Sequence, residues 1–460
     1  MLRLTLAVML LSGAPLAAQS LDGLWRSEGY GYVFEIKGPT LKAFEVTTQT
    51  CRPGFTARRQ AASMAGRDAT YRTSYGEVYF VKTGGGDRRL LHNDGSASDI
   101  RIDRLAKMPP ECVPPTGNTP LDNFNVFTHT WAENYISFDL KHADWDGIVA
   151  QSRPKITDRT SPAALFEILQ GMIQPFGDAH TFIHAQDLKR DFQGLRAGTD
   201  RAAKDVVGDA GLREFRSHGM ARLLAVTDAA YLHGPLRRFC NDQLQFAKID
   251  AGTGYLRVVS FSGYSKGGFA EGLSTLEEGL DQIFSDSALK ALVIDVRINF
   301  GGEDPYGLSI ASRLALSEYL AYTKYARSSA VEHDRWTPGD PSVVRPVSRP
   351  GFRGPVVELT GPLTISAGET FTQALMGRVP HITRIGENTQ GVFSDVLVRR
   401  MPNGWVFGLP NEVYRTMEGI AFDGPGIPPD ITVPVFAAED VAAGKDPAMA
   451  KALEILRSVQ

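Results

Sequence analysis

Apolar and polar positions alternate along the first part of the chain, from residue 21 to residue 105. Short stretches such as GYGYVFEIKG and ATYRTSYGEVYFVKTGGG mix aromatic and β-branched residues and end at glycine-rich turns. Alternation with a period of two is typical of strands that bury one face. The pattern therefore predicts a small antiparallel β domain over residues 21–105, and a barrel is one form that it could take.

The spacing of the apolar residues changes after a proline-rich linker, residues 106–120, which includes KMPPECVPPTGNTP. From residue 121 to residue 187 the apolar positions recur every three or four residues, as in SPAALFEILQGMIQPF. This spacing predicts a helical subdomain that ends in the stretch GDAHT. Residues 188–244 are more polar and are predicted to form a partly helical connection.

Strand-like and helical stretches alternate from residue 245 to residue 436. The strand-like stretch KALVIDVRINFGG precedes a predicted helix from Pro305 to Leu320, and PVVEL precedes a helix that begins at Ser366. Such alternation predicts an α/β core with crossover connections. Residues 437–460 are predicted to form one closing helix. We therefore expect a multidomain α/β (α+β) protein with an N-terminal β domain, a helical segment and an α/β core.

Composition and charge narrow the class of protein. The 460 residues are 43% hydrophobic and 22% charged, which is typical of a globular protein with two or three domains. The formal net charge is −3, and no cluster of lysine and arginine stands out. These features argue against a nucleic-acid partner.

The N-terminus has the layout of a secretory signal. A cation at Arg3 precedes an apolar run, Leu4 to Leu11, and small residues surround Ala18. The run is shorter than the ~20 residues that a membrane span needs, and no later segment is apolar for long enough. We expect a signal peptide over residues 1–18, no membrane span, and export to the periplasm or the extracellular space.

The sequence contains three cysteines. An oxidising compartment favours pairing, so we expect a disulfide between Cys51 and Cys112, with Cys240 left as a buried thiol. Three unpaired cysteines remain the alternative.

Ser366 stands where an apolar run gives way to a helical pattern, in the stretch PLTISAGETF. The spacing to Glu369 is that of a capping box, which requires no enzyme. A helix N-terminus after a strand also favours developing negative charge, as a catalytic serine requires. The glycine pair Gly301 and Gly302 ends another predicted strand, and the carboxyl ends of strands are where sites form in α/β sheets.

A nucleophilic serine needs a base, and the most suggestive of the nine histidines is His180 in FGDAHTFIHA. His184 follows four residues later, a spacing at which histidines can share a zinc ion on a helix. Thr181, Phe182 and Ile183 favour a strand instead, in which four residues span roughly 13 Å. No metal and no organic cofactor is expected.

Several stretches occur in the order typical of one known family. FGDAHTFI, GYLRVVSF, LVIDVRINFGG, PLTISAGETFTQAL, RIGENTQG and EGIAFDGPGIPPDITV resemble the tail-specific (C-terminal processing) peptidase superfamily. That superfamily includes the tricorn-core peptidases and the interphotoreceptor retinoid-binding protein modules. The resemblance covers roughly residues 121–435 and implies a peptidase core over residues 245–436. Residues 21–105 lie outside it.

The resemblance implies roles for individual residues. Ser366 matches the nucleophile, and the oxyanion hole maps onto the Ala367 amide together with Gly301 or Gly302. The implied reaction is attack on a peptide carbonyl, formation of an acyl-enzyme and hydrolysis by water.

The base departs from the lysine of the tail-specific enzymes proper, because Val392 occupies the lysine position. The resemblance to the tricorn-like branch implies His180 as base. The carboxylate that orients it maps onto Asp423, with Glu418 as the alternative.

The sequence is compatible with two functions. One is an exported serine peptidase that acts on peptides or proteins, and the other is a non-catalytic peptide- or lipid-binding module on the same fold. No PDZ insert is recognisable in residues 188–244, so specificity for C-terminal tails is not assumed. The oligomeric state is left open.

Overall fold

The computed structural model describes residues 20–61, 67–85, 87–208, 214–329, 332 and 334–458. The predicted signal peptide, residues 1–18, lies outside the described residues. Mixed helices and sheets follow an N-terminal β domain, which confirms the predicted fold class.

The N-terminal domain is a closed antiparallel barrel. Each strand pairs with the next, and the last pairs with the first, so no edge is left unpaired. Its interior is filled by apolar and aromatic side chains that include Trp25, Phe34 and Tyr71. The strands are β1 (Gly23–Ser27), β2 (Tyr32–Lys37), β3 (Thr40–Val46), β4 (Cys51–Arg59), β5 (Ala69–Thr73), β6 (Val78–Thr83), β7 (Arg89–Asn93) and β8 (Asp99–Leu105).

A disulfide ties the linker to the barrel. Cys51 at the start of β4 is bonded to Cys112, and their Cα atoms lie 4.9 Å apart. The amide of Thr116 also donates to the Cys51 carbonyl, so the linker is held at two points. Cys240 is buried, and burial raises the pKa of its thiol to about 12, which leaves it unreactive near neutral pH.

Peptide mapping under non-reducing conditions should recover one cross-linked peptide that contains Cys51 and Cys112. The expected reason is that both sulfurs lie in a buried cluster whose geometry already holds them together. Alkylation without reduction should label neither of them. Recovery of both as free thiols from protein purified out of an oxidising compartment would contradict the pairing.

Helices follow the linker. Thr119 caps α1 in a capping box with Asp122, and Ser161 caps α3, whose first residue is Pro162. Aromatic side chains form the core between them, with Trp131 and Trp145 stacked at 5.5 Å. The helices are α1 (Pro120–Asn134), α2 (Trp145–Ser152), α3 (Pro162–Ile173), α4 (Ala197–Val207) and α5 (Met220–Tyr231).

The α/β core is built on a sheet with the order β11-β12-β13-β14-β18-β20-β24, in which β13 to β24 run parallel. Its strands are β11 (Arg237–Phe239), β12 (Leu244–Lys248), β13 (Thr253–Val258), β14 (Ala291–Asp295), β18 (Val356–Thr360), β20 (Thr383–Gly386) and β24 (Ile431–Thr432). The connecting helices are α6 (Phe269–Phe284), α7 (Asp304–Leu314) and α8 (Ala367–Met376).

Three smaller sheets surround this core, with the orders β10-β9-β22-β21, β15-β19 and β17-β16-β23. Of these, only β15 and β19 are parallel to each other. The strands are β9 (Phe182–Ala185), β10 (Arg190–Gln193), β15 (Ile298–Asn299), β16 (Tyr319–Ala326), β17 (Asp340–Val344), β19 (Leu363–Thr364), β21 (Val396–Arg400), β22 (Val406–Pro410) and β23 (Glu412–Arg415).

The C-terminal segment contains two helices, α9 (Ala438–Ala442) and α10 (Pro447–Ser458), where the sequence predicts one. Gly444 adopts a left-handed conformation between them, which ends the first helix. Asp446, which follows the break, forms an ion pair with the buried Arg297 at 2.7 Å. This ion pair anchors the last helix to the sheet.

No helix within the described residues is long and apolar enough to cross a bilayer.

Candidate active site

The short parallel pair β15 and β19 brings the two suspected strand ends together. Asn299 pairs with Thr364, and the Ile365 amide donates to the Asn299 carbonyl at 2.8 Å. Gly301 lies so close to Ser366 that a Cβ on Gly301 would stand 2.6 Å from the Ser366 Cβ. The glycine pair and the serine therefore form one site.

Ser366 is held in a strained backbone conformation. Its φ is 56° and its ψ is −121°, a region that side-chain-bearing residues rarely adopt. It lies at the junction of β19 and α8, where its carbonyl accepts the amides of Glu369 and Thr370. A serine on a sharp strand-to-helix turn has the geometry of a nucleophile elbow, although the G-x-S-x-G sequence is absent.

Two backbone amides next to Ser366 remain open. Within the described residues, the amides of Gly302 and Ala367 donate no hydrogen bond, whereas the Gly301 amide donates to Asn299 Oδ1 at 2.9 Å. The Ala367 nitrogen lies 3.0 Å from the place that a Cβ on Gly301 would take. Open amides at a helix start can stabilise negative charge on a substrate oxygen.

Glu369 fixes the loop opposite the serine. Its carboxylate accepts hydrogen bonds from Thr389 Oγ1 at 2.6 Å, the Gly391 amide at 2.6 Å and the Val392 amide at 2.8 Å. The Ser366 amide also approaches it, at 3.4 Å. Full burial raises the pKa of Glu369 to about 7. The capping-box glutamate thus braces the site.

Residues 391–395 connect the remaining groups, and we call them the bridging segment. The Ser366 amide donates to the Val392 carbonyl at 3.1 Å, and the Phe393 amide donates to Asp423 Oδ1 at 3.4 Å. The backbone of Ser394 lies close enough to His180 to raise the pKa of its imidazole slightly. One extended segment therefore contacts Ser366, Asp423 and the histidine in turn.

His180 lies in the turn before β9, and its amide donates to Asp178 Oδ1 at 3.0 Å. Its Nδ1 atom is buried and has no hydrogen-bond partner in the described part of the chain. Burial lowers the pKa of His180, while the carboxylates of Asp178 and Asp395 raise it in part. The imidazole is therefore neutral at neutral pH, as a general base must be.

The candidate carboxylates differ in their surroundings. Asp423 makes no recorded hydrogen bond to His180, and its buried Oδ2 has no partner within the described residues. Burial and the neighbouring Glu369 raise the pKa of Asp423 to about 7. Glu418 is exposed in a turn, so it lies in poorer surroundings for orienting an imidazole. The charges that act on His180 come from Asp178 and Asp395.

A buried charge cluster behind His180 was not foreseen from the sequence. Lys324 pairs with Asp395 at 2.5 Å and with Glu412 at 3.1 Å, and Tyr30 of the barrel donates to Glu412 at 2.6 Å. Burial favours the neutral form of Asp395, but Lys324 outweighs it and lowers the pKa of Asp395. The side chain of Asp395 is half-exposed to solvent because it faces a cavity. Only Asp395 carries a sequence signal, as an acid just after the stretch GENTQG.

His184 lies half-exposed on β9 and contacts Asp191 at 3.0 Å, and no group of three metal-ligating side chains occurs in the described parts of the chain.

Comparison with known proteins agrees with this geometry. Residues 252–433 match the family model described as Peptidase family S41. A structure from Parabacteroides merdae ATCC 43184, solved as a candidate peptidase, is 24% identical and superposes with a TM-score of 0.60, covering 74% of this chain and 97% of its own. Mature CPAF is 13% identical with a TM-score of 0.53, covering 74% and 96%. No curated protein matches the chain.

At these identities the two structures show the fold, and the family match extends over the sheet strands β13 to β24. The chain covers nearly the full length of both structures. Together the match and the fold confirm the resemblance to the tail-specific peptidase superfamily and support a serine peptidase built on the core of residues 252–433.

Proposed function

We propose that this chain is an exported serine peptidase that uses Ser366 as nucleophile and His180 as general base. The observation that carries the proposal is the strained Ser366 at a helix start, flanked by the open amides of Gly302 and Ala367. A serine that only caps a helix requires neither such a conformation nor a second open amide, that of Gly302, on a neighbouring loop. Val392 occupies the position at which the tail-specific enzymes proper have a lysine, and the resemblance to the tricorn-like branch implies His180 as base instead.

The proposed reaction is an acyl transfer. His180 takes the proton from Ser366 Oγ as the oxygen attacks the peptide carbonyl, and the carbonyl oxygen becomes negative. The amides of Gly302 and Ala367 stabilise that charge. His180 then protonates the leaving amine, and a water molecule hydrolyses the acyl-enzyme by the same steps.

We propose Asp423 as the carboxylate that orients His180. Each side chain has a buried polar atom without a partner, Nδ1 in one and Oδ2 in the other, and both side chains contact the bridging segment. Pairing these two atoms would satisfy both, since orphaned buried polar groups gain by pairing. Asp178 and Asp395 supply the remaining negative charge around the imidazole.

The test of this function is hydrolysis of an unfolded protein such as reduced casein. The wild-type chain should cleave it, and Ser366→Ala should not. Ser394→Ala is a poor control because Ser394 belongs to the bridging segment, whereas Ser285→Ala lies at the end of α6 and should leave activity intact. Equal cleavage by wild type and Ser366→Ala would contradict the nucleophile. A folded wild type that binds peptides without cleaving them would support the binding-module alternative.

The pH dependence should follow the imidazole. Because burial lowers the pKa of His180, kcat/KM should be level near neutrality and fall only as the pH drops below the ordinary histidine value of about 6.5. Asp395→Asn removes a negative charge that favours the protonated imidazole, so the acid limb should move to lower pH. A limb that moves to higher pH in this variant, or one centred near 9, would contradict a histidine base in this environment.

A further inference from the structure

A cavity of about 590 Å³ lies between the mouth of the barrel and the peptidase core. The barrel contributes interior and rim side chains such as Phe34, Phe55 and Tyr79. The core contributes Gly302 and Asp395, which adjoin the proposed oxyanion hole and the proposed base. The cavity therefore adjoins the proposed oxyanion hole at Gly302, and it is large enough for a few peptide residues.

Aromatic rings form the barrel side of this cavity. Phe55 and Tyr79 stack at 4.7 Å, and Tyr32 and Phe34 lie 5.5 Å apart. Tyr75 stands on the rim and is 63% exposed. Such walls bind the aliphatic stem of a long side chain and favour a cationic end through the ring faces.

Some charged side chains on the cavity wall already pair with other groups of the wall. Arg399 donates to the Tyr32 hydroxyl at 2.7 Å and to the Tyr30 carbonyl, and Arg52 pairs with Glu45 at 3.6 Å. These arginines are already committed to the wall. Arg400 also lines the cavity and donates to the Gly404 carbonyl at 3.3 Å, and the carboxylates of the lining outnumber its arginines.

Glu303 is the acidic group that most needs a partner. It follows Gly302 directly, and its Oε2 atom is buried without a hydrogen bond to any described residue. Gly95 of the barrel faces it, since a Cβ there would stand 3.2 Å from the Glu303 Cγ, and Asp94 adds a second carboxylate to the same wall. Burial raises the pKa of both carboxyl groups, so a cation would stabilise their charged forms.

A second, independent observation indicates a peptide. Asn411 lines the same cavity, only 2% of its surface is exposed, and its Nδ2 atom has no partner within the described residues. A buried amide donor left open is costly unless a ligand accepts from it. A peptide carbonyl is such an acceptor, and it would lie beside the core strands that end at Pro410 and begin at Glu412.

We propose that this cavity binds the peptide substrate next to the scissile bond and holds a lysine or arginine side chain, with its cation at Glu303 and a neighbouring carbonyl at Asn411. The barrel thus contributes part of the binding wall, and Glu303 of the core supplies the preference for a basic residue. The inference rests on the proposed peptidase function for its catalytic consequence, but binding can be measured without turnover.

The binding test uses full-length Ser366→Ala, so that chemistry does not intervene, and two fluorescent peptides that differ only in arginine or norleucine at one position. The arginine peptide should bind about tenfold more tightly, as one charge-assisted contact would produce. Glu303→Gln in the same background should remove that preference. Glu278→Gln, an exposed glutamate on α6 outside the cavity, should retain it. Equal affinity for the two peptides, or a preference that survives Glu303→Gln, would overturn the proposal.

A rim variant tests the aromatic wall separately. Tyr75→Ala should weaken binding of both peptides several-fold, while Leu316→Ala, a similarly exposed apolar residue outside the cavity, should not. Unchanged binding in Tyr75→Ala would remove the barrel from the binding surface. If the basic peptide binds selectively but wild type does not cleave it, the peptidase function fails while the cavity assignment stands.

Discussion

Replacing His180 by alanine should lower kcat by about 10²- to 10⁴-fold, the usual contribution of a general base. The kcat should fall because only water would then accept the proton of Ser366 Oγ. His180 lies in a turn, and its Nδ1 atom has no hydrogen-bond partner among the described residues, so the fold should survive the change. The measurement is steady-state hydrolysis of a fluorogenic peptide, with far-UV circular dichroism to confirm folding.

His184→Ala is the matched control for this variant. His184 is four residues away and half-exposed on β9, where its ring contacts Asp191 and the Phe182 ring. It should retain near-normal turnover. If His180→Ala and His184→Ala were equally active on a substrate that Ser366→Ala cannot cleave, the base would have to be sought elsewhere.

Replacing Gly301 by alanine should lower kcat by at least about 10²-fold, comparable with the loss of an oxyanion-hole donor. The new Cβ would lie 2.6 Å from the Ser366 Cβ and 3.0 Å from the Ala367 nitrogen. Since these atoms belong to the nucleophile and the oxyanion hole, both would have to move. The φ of +79° adds backbone strain of its own.

Gly404→Ala separates these two effects. Gly404 has a φ of +92°, and an added Cβ there would meet nothing within 4 Å. The control should therefore lose some stability and keep its kcat, whereas Gly301→Ala should lose kcat at temperatures well below its melting point. Thermal denaturation and turnover measured on the same samples give both quantities. An active, folded Gly301→Ala would show that the glycine does not pack against a working nucleophile.

Local patterns in the sequence predicted the elements that depend on neighbouring residues. Alternation in residues 21–105 predicted antiparallel strands, and Ser161 with Pro162 marked the start of α3. The predicted helix from Pro305 to Leu320 ends earlier, at Leu314, because residues from Tyr319 onward join β16. That strand pairs with β17 and β23, which come later in the chain, and a local sequence pattern does not indicate which strands will pair.

The residues of the candidate site also divide into those that a sequence motif marks and those that no motif marks. Ser366, His180 and the glycine pair stand in recognisable motifs, and the structure places Gly301 against Ser366. The cluster of Lys324, Asp395 and Glu412 has no motif, because three separate strands or strand ends bring these charges together. The cavity depends on the placement of the barrel against the core. The barrel lies outside the region of the resemblance.

The most direct measurement of the central claim is covalent labelling with a fluorophosphonate probe, followed by peptide mapping. An activated serine reacts with such a probe, and an ordinary capping serine does not. We predict stoichiometric modification at Ser366 in the wild-type chain, slow modification in His180→Ala, and none in Ser366→Ala. Equal labelling of wild type and Ser366→Ala, or no labelling of folded wild type under conditions in which a control serine peptidase reacts fully, would contradict the account.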